Sequence, residues 1–144
     1  MGGLLVQDTD NIEENTESWI TVTKKIPSNQ DYLDLSFAWK ICKHVKSNAI
    51  VIAKDQQTLG IGAGQMNRVG ASKIALQAAK ENGYGGVLAS DGFFPFADTV
   101  ELASEYGISS IIQPGGSIRD EESIEMCNLK GISMVFTKKR HFLH

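Results

Sequence analysis

The stretch AIVIAKDQQTLGIGAGQMNR, running from Ala49 to Arg68, decides the fold. Residues 49–53 and 58–62 are short runs of β-type composition, and Lys54-Asp55-Gln56-Gln57 between them reads as a turn, so the spacing predicts a β-hairpin. The period then changes. Ala71, Ile74, Ala75 and Ala78 recur at helical spacing, and the helix they predict ends before Gly83, its small face suited to close packing on a sheet. Upstream, Ser28 and Asp31 have capping-box spacing ahead of Ala38, Ile41, Cys42 and Val45, which predicts a helix over about 31–46. Downstream, Gly86 to Ala89 reads as a buried strand, a helix over about 98–106 stops at Gly107, and Ile108 to Ile112 is the next strand. A last helix, about 118–129, stops at Gly131 before a strand from Ile132 to Phe136.

The order is therefore α-β-β-α-β-α-β-α-β. Strands alternating with helices predict a three-layer α/β/α unit whose mostly parallel sheet opens in an antiparallel hairpin, the hairpin adding one antiparallel pairing. This unit occupies residues 31–144. Residues 1–30 read differently: an apolar island, Leu4-Leu5-Val6, a polar stretch from Asp8 to Glu17, then strand composition from Trp19 to Thr23. The expectation is an extended arm that packs on something outside the chain, with a frayed terminus as the equal alternative.

The chain has 144 residues, is 42% hydrophobic and 22% charged, and carries a net charge of −3, which fits one folded domain and argues against a basic surface for nucleic acid or anionic membrane. Cys42 and Cys127 fall in apolar helical patterns and read as reduced core thiols of a cytoplasmic protein. The longest strongly apolar run, 49–53, is far short of the ~20 residues that span a bilayer.

In folds of this class ligands collect beyond the carboxyl ends of strands. Gly60-Ile61-Gly62-Ala63-Gly64 stands at one such end. It matches neither a dinucleotide fingerprint nor a Walker loop, and its glycines serve either a ligand or the close approach of a neighbouring backbone. Arg68 at a helix start opposes the helix dipole, so a carboxylate or phosphate partner is expected. Phe93, Phe94 and Phe96 load a second loop with aromatic surface, suited to a flat ligand or to a hydrophobic plug. Asp98-x-x-Glu101 and Ser117-x-x-Asp120 have capping-box spacing, so the bare sequence assigns Asp98 and Ser117 to helix caps first. His141 and His144, three residues apart near the last residue, are a weak metal signal with no Cys or carboxylate cluster beside them. The element order is also that of cytidine deaminases, whose zinc chemistry needs His-x-Glu and Pro-Cys-x-x-Cys, and neither motif occurs in the chain.

Taken together, Lys46-Ser47-Asn48-Ala49-Ile50-Val51, the Gly60 to Gln65 segment with Arg68, Ser90 to Phe96, Pro114 to Asp120, and Phe136-Thr137 with Arg140 to His144 closely resemble one family. It is the AICAR transformylase part of the bifunctional purine-biosynthesis enzyme whose other half is IMP cyclohydrolase. The resemblance implies formyl transfer from 10-formyltetrahydrofolate to the 5-amino group of AICAR, with no metal required. It implies that this chain is the second of two cytidine-deaminase-like subdomains, in an enzyme that is a homodimer when intact. By the same resemblance, Asn48 would act catalytically beside the reacting amine, Arg68 would be a second AICAR contact, and Arg140 would hold its phosphate. Val69, Phe93, Asp98, Ser117 and Ile118 would line the folate site, with Phe142 near it. The family's catalytic Lys-His pair belongs to the first subdomain and has no counterpart segment here, which implies that the chain alone is inactive. Ala97 and Gly92 depart from the common pattern of the folate loop. The alternative is a non-catalytic nucleotide- or folate-binding or interaction module.

Overall fold

The computed structural model describes residues 18–137. Eleven elements follow in the order β1 (Ile20–Thr21), α1 (Asn29–Cys42), β2 (Ile50–Lys54), β3 (Gln57–Gly62), α2 (Arg68–Ala79), a 3₁₀ turn (Lys80–Gly83), β4 (Val87–Ser90), α3 (Asp98–Glu105), β5 (Ser110–Gln113), α4 (Asp120–Lys130) and β6 (Ser133–Phe136). They build one six-stranded sheet in the order β1-β6-β5-β4-β2-β3.

Side chains alternate across this sheet with the period of two that strands impose. Ile50, Ile52, Leu88, Ile111 and Met134 point to one face, where Ala71, Ala75, Val100, Ala103 and Cys127 of α2, α3 and α4 cover them. Val51, Val87, Ala89, Ile112 and Val135 point to the other, under Leu35, Ala38, Trp39 and Cys42 of α1. The three layers expected from the element order are present, and both cysteines are buried.

The pairing differs from expectation in one respect. β4, β5 and β6 run parallel, but β2 pairs antiparallel with both β3 and β4, and β1 pairs antiparallel with β6. Three antiparallel pairings therefore replace the one expected. The β3–α2–β4 connection does make β4 parallel to β3, yet it carries the chain past β2, so the hydrogen-bonded neighbour of β4 is the antiparallel β2. The strand expected over 19–23 finds its partner within the chain: Ile20 is opposite Phe136, and Val22 N–H donates to Met134 O at 3.0 Å. Leu4 to Val6 and the polar stretch to Glu17 lie outside the described residues.

Local corrections have physical causes. The first helix opens with the expected capping box, Ser28 accepting from Asp31 N–H and Asp31 from Ser28 N–H, but ends at Cys42. On α2 the buried face is Ala71, Ser72, Ala75, Leu76 and Ala79, whereas Ile74 is 43% exposed. The close approach of α2 sets that face: a Cβ at Gly60 would lie 2.0 Å from Ala75 O and one at Gly62 would lie 1.9 Å from Ala71 O. The alternating glycines are thus a docking track for a helix backbone.

The hairpin turn holds Asp55 and Gln56 at φ 52° and 58°. Each non-glycine residue there costs roughly 1 kcal/mol. Asp34, buried on α1, offsets it by accepting the N–H groups of Asp55 (3.1 Å) and Gln56 (2.8 Å). A carboxylate thus supplies what an Asn-Gly pair supplies in most such turns.

Candidate functional site

Ile50 sits opposite Gly62 on one side and Ser90 on the other, so the segments before Ile50 and after Gly62 and Ser90 leave the sheet at one end. The carboxyl ends of β5 and β6, parallel to β4, deliver Pro114 to Arg119 and Thr137 to the same end. Five strand ends therefore meet there.

Asp91 lies at the junction and is 1% exposed. Its carboxylate accepts from Ser47 Oγ at 2.5 Å, from Ala49 N–H at 3.1 Å, and from Arg68 Nη1 in a buried ion pair. Arg68 is the first residue of α2, behind Asn67, whose Oδ1 caps the helix by accepting from Gly70 N–H at 2.7 Å. The carboxylate expected opposite Arg68 is Asp91. The reading of the sequence did not single out Asp91 as a site residue. Its signal was only the Ser90-Asp91-Gly92 position at a strand end, and partners 23 and 44 residues away become neighbours through the sheet order alone.

Asn48 is half-buried beside this pair. Its backbone N–H and its Nδ2 both donate to Gln65 O, at 3.3 and 2.9 Å, and Gly64 N–H donates to Lys46 O at 2.9 Å, stitching two loops together. Asn48, Arg68 and Phe93 line a cleft of about 240 Å³ together with Met66, Asn67 and Pro95. Phe93 and Pro95 also line an adjoining cavity of about 460 Å³ with Phe96, Ser117, Ile118 and Arg119. The two cavities share a wall, and their residues include five of the nine predicted site residues: Asn48, Arg68, Phe93, Ser117 and Ile118.

The remaining four are placed otherwise. Val69 is half-buried on α2 and lines neither cavity, and Asp98 is exposed at the start of α3. Arg140 and Phe142, like His141 and His144, lie outside the described residues. A third cavity, about 530 Å³ between the β1–β6 edge and Gly115–Gly116, holds none of the nine.

Both capping-box assignments need correction. Ala97 is the N-cap of α3 and gives no side-chain bond, while Asp98 is the first helical residue and accepts from Thr99 N–H at 2.9 Å. Ahead of α4, Asp120 reaches back to the N–H groups of Gly116 (2.8 Å) and Ser117 (3.1 Å), but Ser117 Oγ accepts from Arg119 N–H, so only half the box forms. The bends at Gly115 and Gly116, with φ 77° and 106°, displace Ser117 from the position that would reach Asp120 N–H. The phenylalanines divide the two roles open to them. Phe94 is fully buried and plugs the core, whereas Phe96 is 52% exposed with Arg119 stacked 5.3 Å from its ring centre.

The chemistry available is polar positioning beside an apolar slot. Asn48 and Arg68 offer directional donors, and Phe93, Phe96 and Ile118 offer flat or apolar surface. Among the described residues, no three His, Cys, Asp or Glu side chains group as a metal site. Nor is any described helix long and apolar enough to cross a membrane. The two thiols are chemically quiet: burial pushes Cys127 up to about 12, and burial, reinforced by the Asp91 charge, raises Cys42 far above the ordinary thiol range.

Comparison with known proteins bears on this arrangement. A family model described as the AICARFT/IMPCHase bienzyme matches residues 1–78, more than half the chain. The chain belongs to the AICARFT/IMPCHase bienzyme family. Among its curated relatives, the bifunctional purine biosynthesis protein PurH of Prochlorococcus marinus subsp. pastoris (strain CCMP1986 / NIES-2087 / MED4) is 95% identical over all 144 residues. The PurH proteins of Prochlorococcus marinus strains MIT 9515 and NATL1A are 81% and 64% identical over the same span. The chain spans 28% of the length of these AICARFT/IMPCHase relatives. Solved structures share its fold at low identity. Acinetobacter baumannii RibD superposes with TM-score 0.55 at 17% identity, covering 75% of this chain and 35% of that one. The dCMP deaminase of cyanophage S-TIM5 superposes with TM-score 0.50 at 14% identity, covering 72% and 94%. The deaminase-like fold expected of this AICARFT/IMPCHase family member is the fold observed.

Proposed function

We propose that this chain is the carboxyl-terminal, deaminase-like subdomain of a folate-dependent formyltransferase of purine biosynthesis in the cytoplasm. In this reading it moves a formyl group from 10-formyltetrahydrofolate to the 5-amino group of AICAR, and it works within a homodimer whose other activity is IMP cyclohydrolase. One observation carries the proposal: the cleft holding Asn48 and Arg68 continues, across Phe93 and Pro95, into an apolar slot, so a nucleotide and a folate would bind edge to edge. The size and lining of the two cavities fit that division, the smaller being polar at Asn48 and Arg68 and the larger walled by aromatic and aliphatic surface.

An amine conjugated into an imidazole is a weak nucleophile, so catalysis rests on orientation, proton removal and stabilisation of the developing oxyanion. Asn48 would direct the amine, with its side chain aimed by the bond to Gln65 O. Arg68, with Arg140 at the phosphate, would anchor the nucleotide by charge. Phe93, Ser117 and Ile118, with Val69, Asp98 and Phe142, would receive the folate. The proton-transfer role falls to the Lys-His pair of the family's first subdomain, so the isolated chain should not turn over.

The test is Asn48→Asp in a full-length PurH protein carrying this segment. Turnover should fall by orders of magnitude with the thermal unfolding midpoint retained, and an unchanged rate removes Asn48 from the mechanism. Calorimetry of the isolated chain with AICAR and with a folate discriminates further, since tight binding there favours a stand-alone binding module.

A further inference from the structure

Asp91 is not among the residues lining either cavity, yet both strand-end segments that carry Asn48 and Arg68 are tied to its buried carboxylate. Ser47 and Ala49, the residues on either side of Asn48, both donate to it, Ser47 to Oδ2 and Ala49 to Oδ1. Arg68 Nη1 donates to the same Oδ1. The backbone closes the arrangement, since Asp91 N–H donates to Ala49 O at 3.2 Å. Asn48 is thus held at three consecutive residues: from below by Asp91 through 47 and 49, and laterally by Gln65 O through its own two donors.

We infer that Asp91 is a positioning residue, which sets the separation and orientation of Asn48 and Arg68 in the cleft. The inference rests on the reading that those two side chains contact the substrate. Physically, a carboxylate with two oxygens can satisfy three donors at fixed angles, and a buried charge opposite Arg68 keeps the guanidinium from swinging toward solvent. An amide in its place keeps the volume but brings its own N–H donors among three other donors, and it leaves Arg68 without a counter-charge. The amide Nδ2 facing Ser47 Oγ turns that hydroxyl from donor to acceptor and lengthens its 2.5 Å contact, so Ser47 shifts and Asn48 shifts with it. Misplacement by about 1 Å of a group that orients a reacting amine lowers turnover by about 100-fold.

The experiment is a double-substitution cycle in the full-length PurH protein carrying this segment, with both substrates saturating. Asp91→Asn should lower kcat by about 100-fold and raise the KM for AICAR. In the Asn48→Asp background, the same Asp91→Asn change should cost less than about threefold further, since a residue acting through Asn48 has nothing left to position. A merely structural Asp91 would instead multiply its loss onto the Asn48 variant, and that result overturns the inference. Should Asp91→Asn fail to fold, Ser47→Ala takes its place. It keeps the ion pair, removes one tie, and should lower kcat by about tenfold at an unchanged unfolding midpoint with the same non-additivity; no loss there overturns the inference. If Asn48→Asp alone leaves kcat unchanged, the reading of Asn48 fails, and the positioning role falls with it. That outcome differs from a full-strength Asn48 effect with an additive Asp91 effect, which refutes the positioning role alone.

Discussion

Gly62→Ala tests the packing that aims the cleft. The added methyl would stand 1.9 Å from Ala71 O, 2.7 Å from its carbonyl carbon and 3.0 Å from its Cα, all backbone atoms of α2. No rotamer change relieves such an overlap, so the helix must retreat by roughly 1 Å, because a carbon and an oxygen that are not bonded sit about 3.5 Å apart and only part of that can be taken up elsewhere. Overpacking of this kind costs about 1–3 kcal/mol, and a backbone obstacle places this case at the upper end, about 3 kcal/mol. For a chain of this size that corresponds to a fall in Tm of about 10 °C. Gly131→Ala is the matched control. Its φ is +73° and an added Cβ meets nothing within 4 Å, so only left-handed strain remains, about 1 kcal/mol and a few degrees. Thermal unfolding of the three proteins followed by circular dichroism provides the comparison. If Gly62→Ala loses no more stability than Gly131→Ala, the docking of α2 on the glycine track is not what holds the helix. Because α2 begins at Arg68, the same variant should loosen the ion pair to Asp91, seen as faster hydrogen exchange at the Arg68 guanidinium.

Asp34→Ala should remove the acceptor of both turn amides and lower stability by about 2 kcal/mol, with faster amide exchange at Asp55 and Gln56; exchange rates equal to the parent's would dismiss the role given to this carboxylate. Phe94→Ala, at a fully buried position, should cost about 3–5 kcal/mol by denaturant unfolding, whereas Phe96→Ala should change stability by less than about 0.5 kcal/mol. Equal losses would mean the two rings do not divide plug from cleft. The thiols set an alkaline limit. Both titrate near 9.0 when unfolded and higher when folded, so the native state holds more protons above pH 9, and stability falls as pH rises. Each thiol contributes a slope of up to ~1.4 kcal/mol per pH unit until its folded value, about 12 for Cys127, is reached. Urea unfolding at pH 8 and pH 10 should show this difference, and Cys42→Ala with Cys127→Ala should largely abolish it.

Much of the fold was legible because the deciding signals are local. The β-type runs at 49–53 and 58–62, the capping box at Ser28 and the glycines after the last three helices depend only on near neighbours, and β2, β3, α1 and the later elements stand within a few residues of where those signals lie. What went astray locally was set by long-range packing. Ile74 has the right spacing for a buried face but points to solvent, because Gly60 and Gly62 draw the Ala71–Ala75 edge of the helix inward. Ser117 has the right spacing for a cap, but the Gly115-Gly116 bend turns it toward Arg119 N–H.

For the site, the residues themselves pointed to Arg68 and to the aromatic loop of Phe93, whereas Asn48, Ser117 and Ile118 were nominated only by the resemblance to the AICAR transformylase family. Their meeting in one cleft was decided by the strand order, which inserts β2 between β3 and β4 and so brings 46–49, 63–68 and 91–95 to a single end of the sheet. Asp91 was invisible for the same reason. A carboxylate declares its task only through the donors around it, and those come from Ser47, Ala49 and Arg68, which no periodicity along the chain relates to it. Local chemistry is written residue by residue, whereas convergence depends on which strand lies beside which, and that is settled only when the two cores on either face of the sheet close.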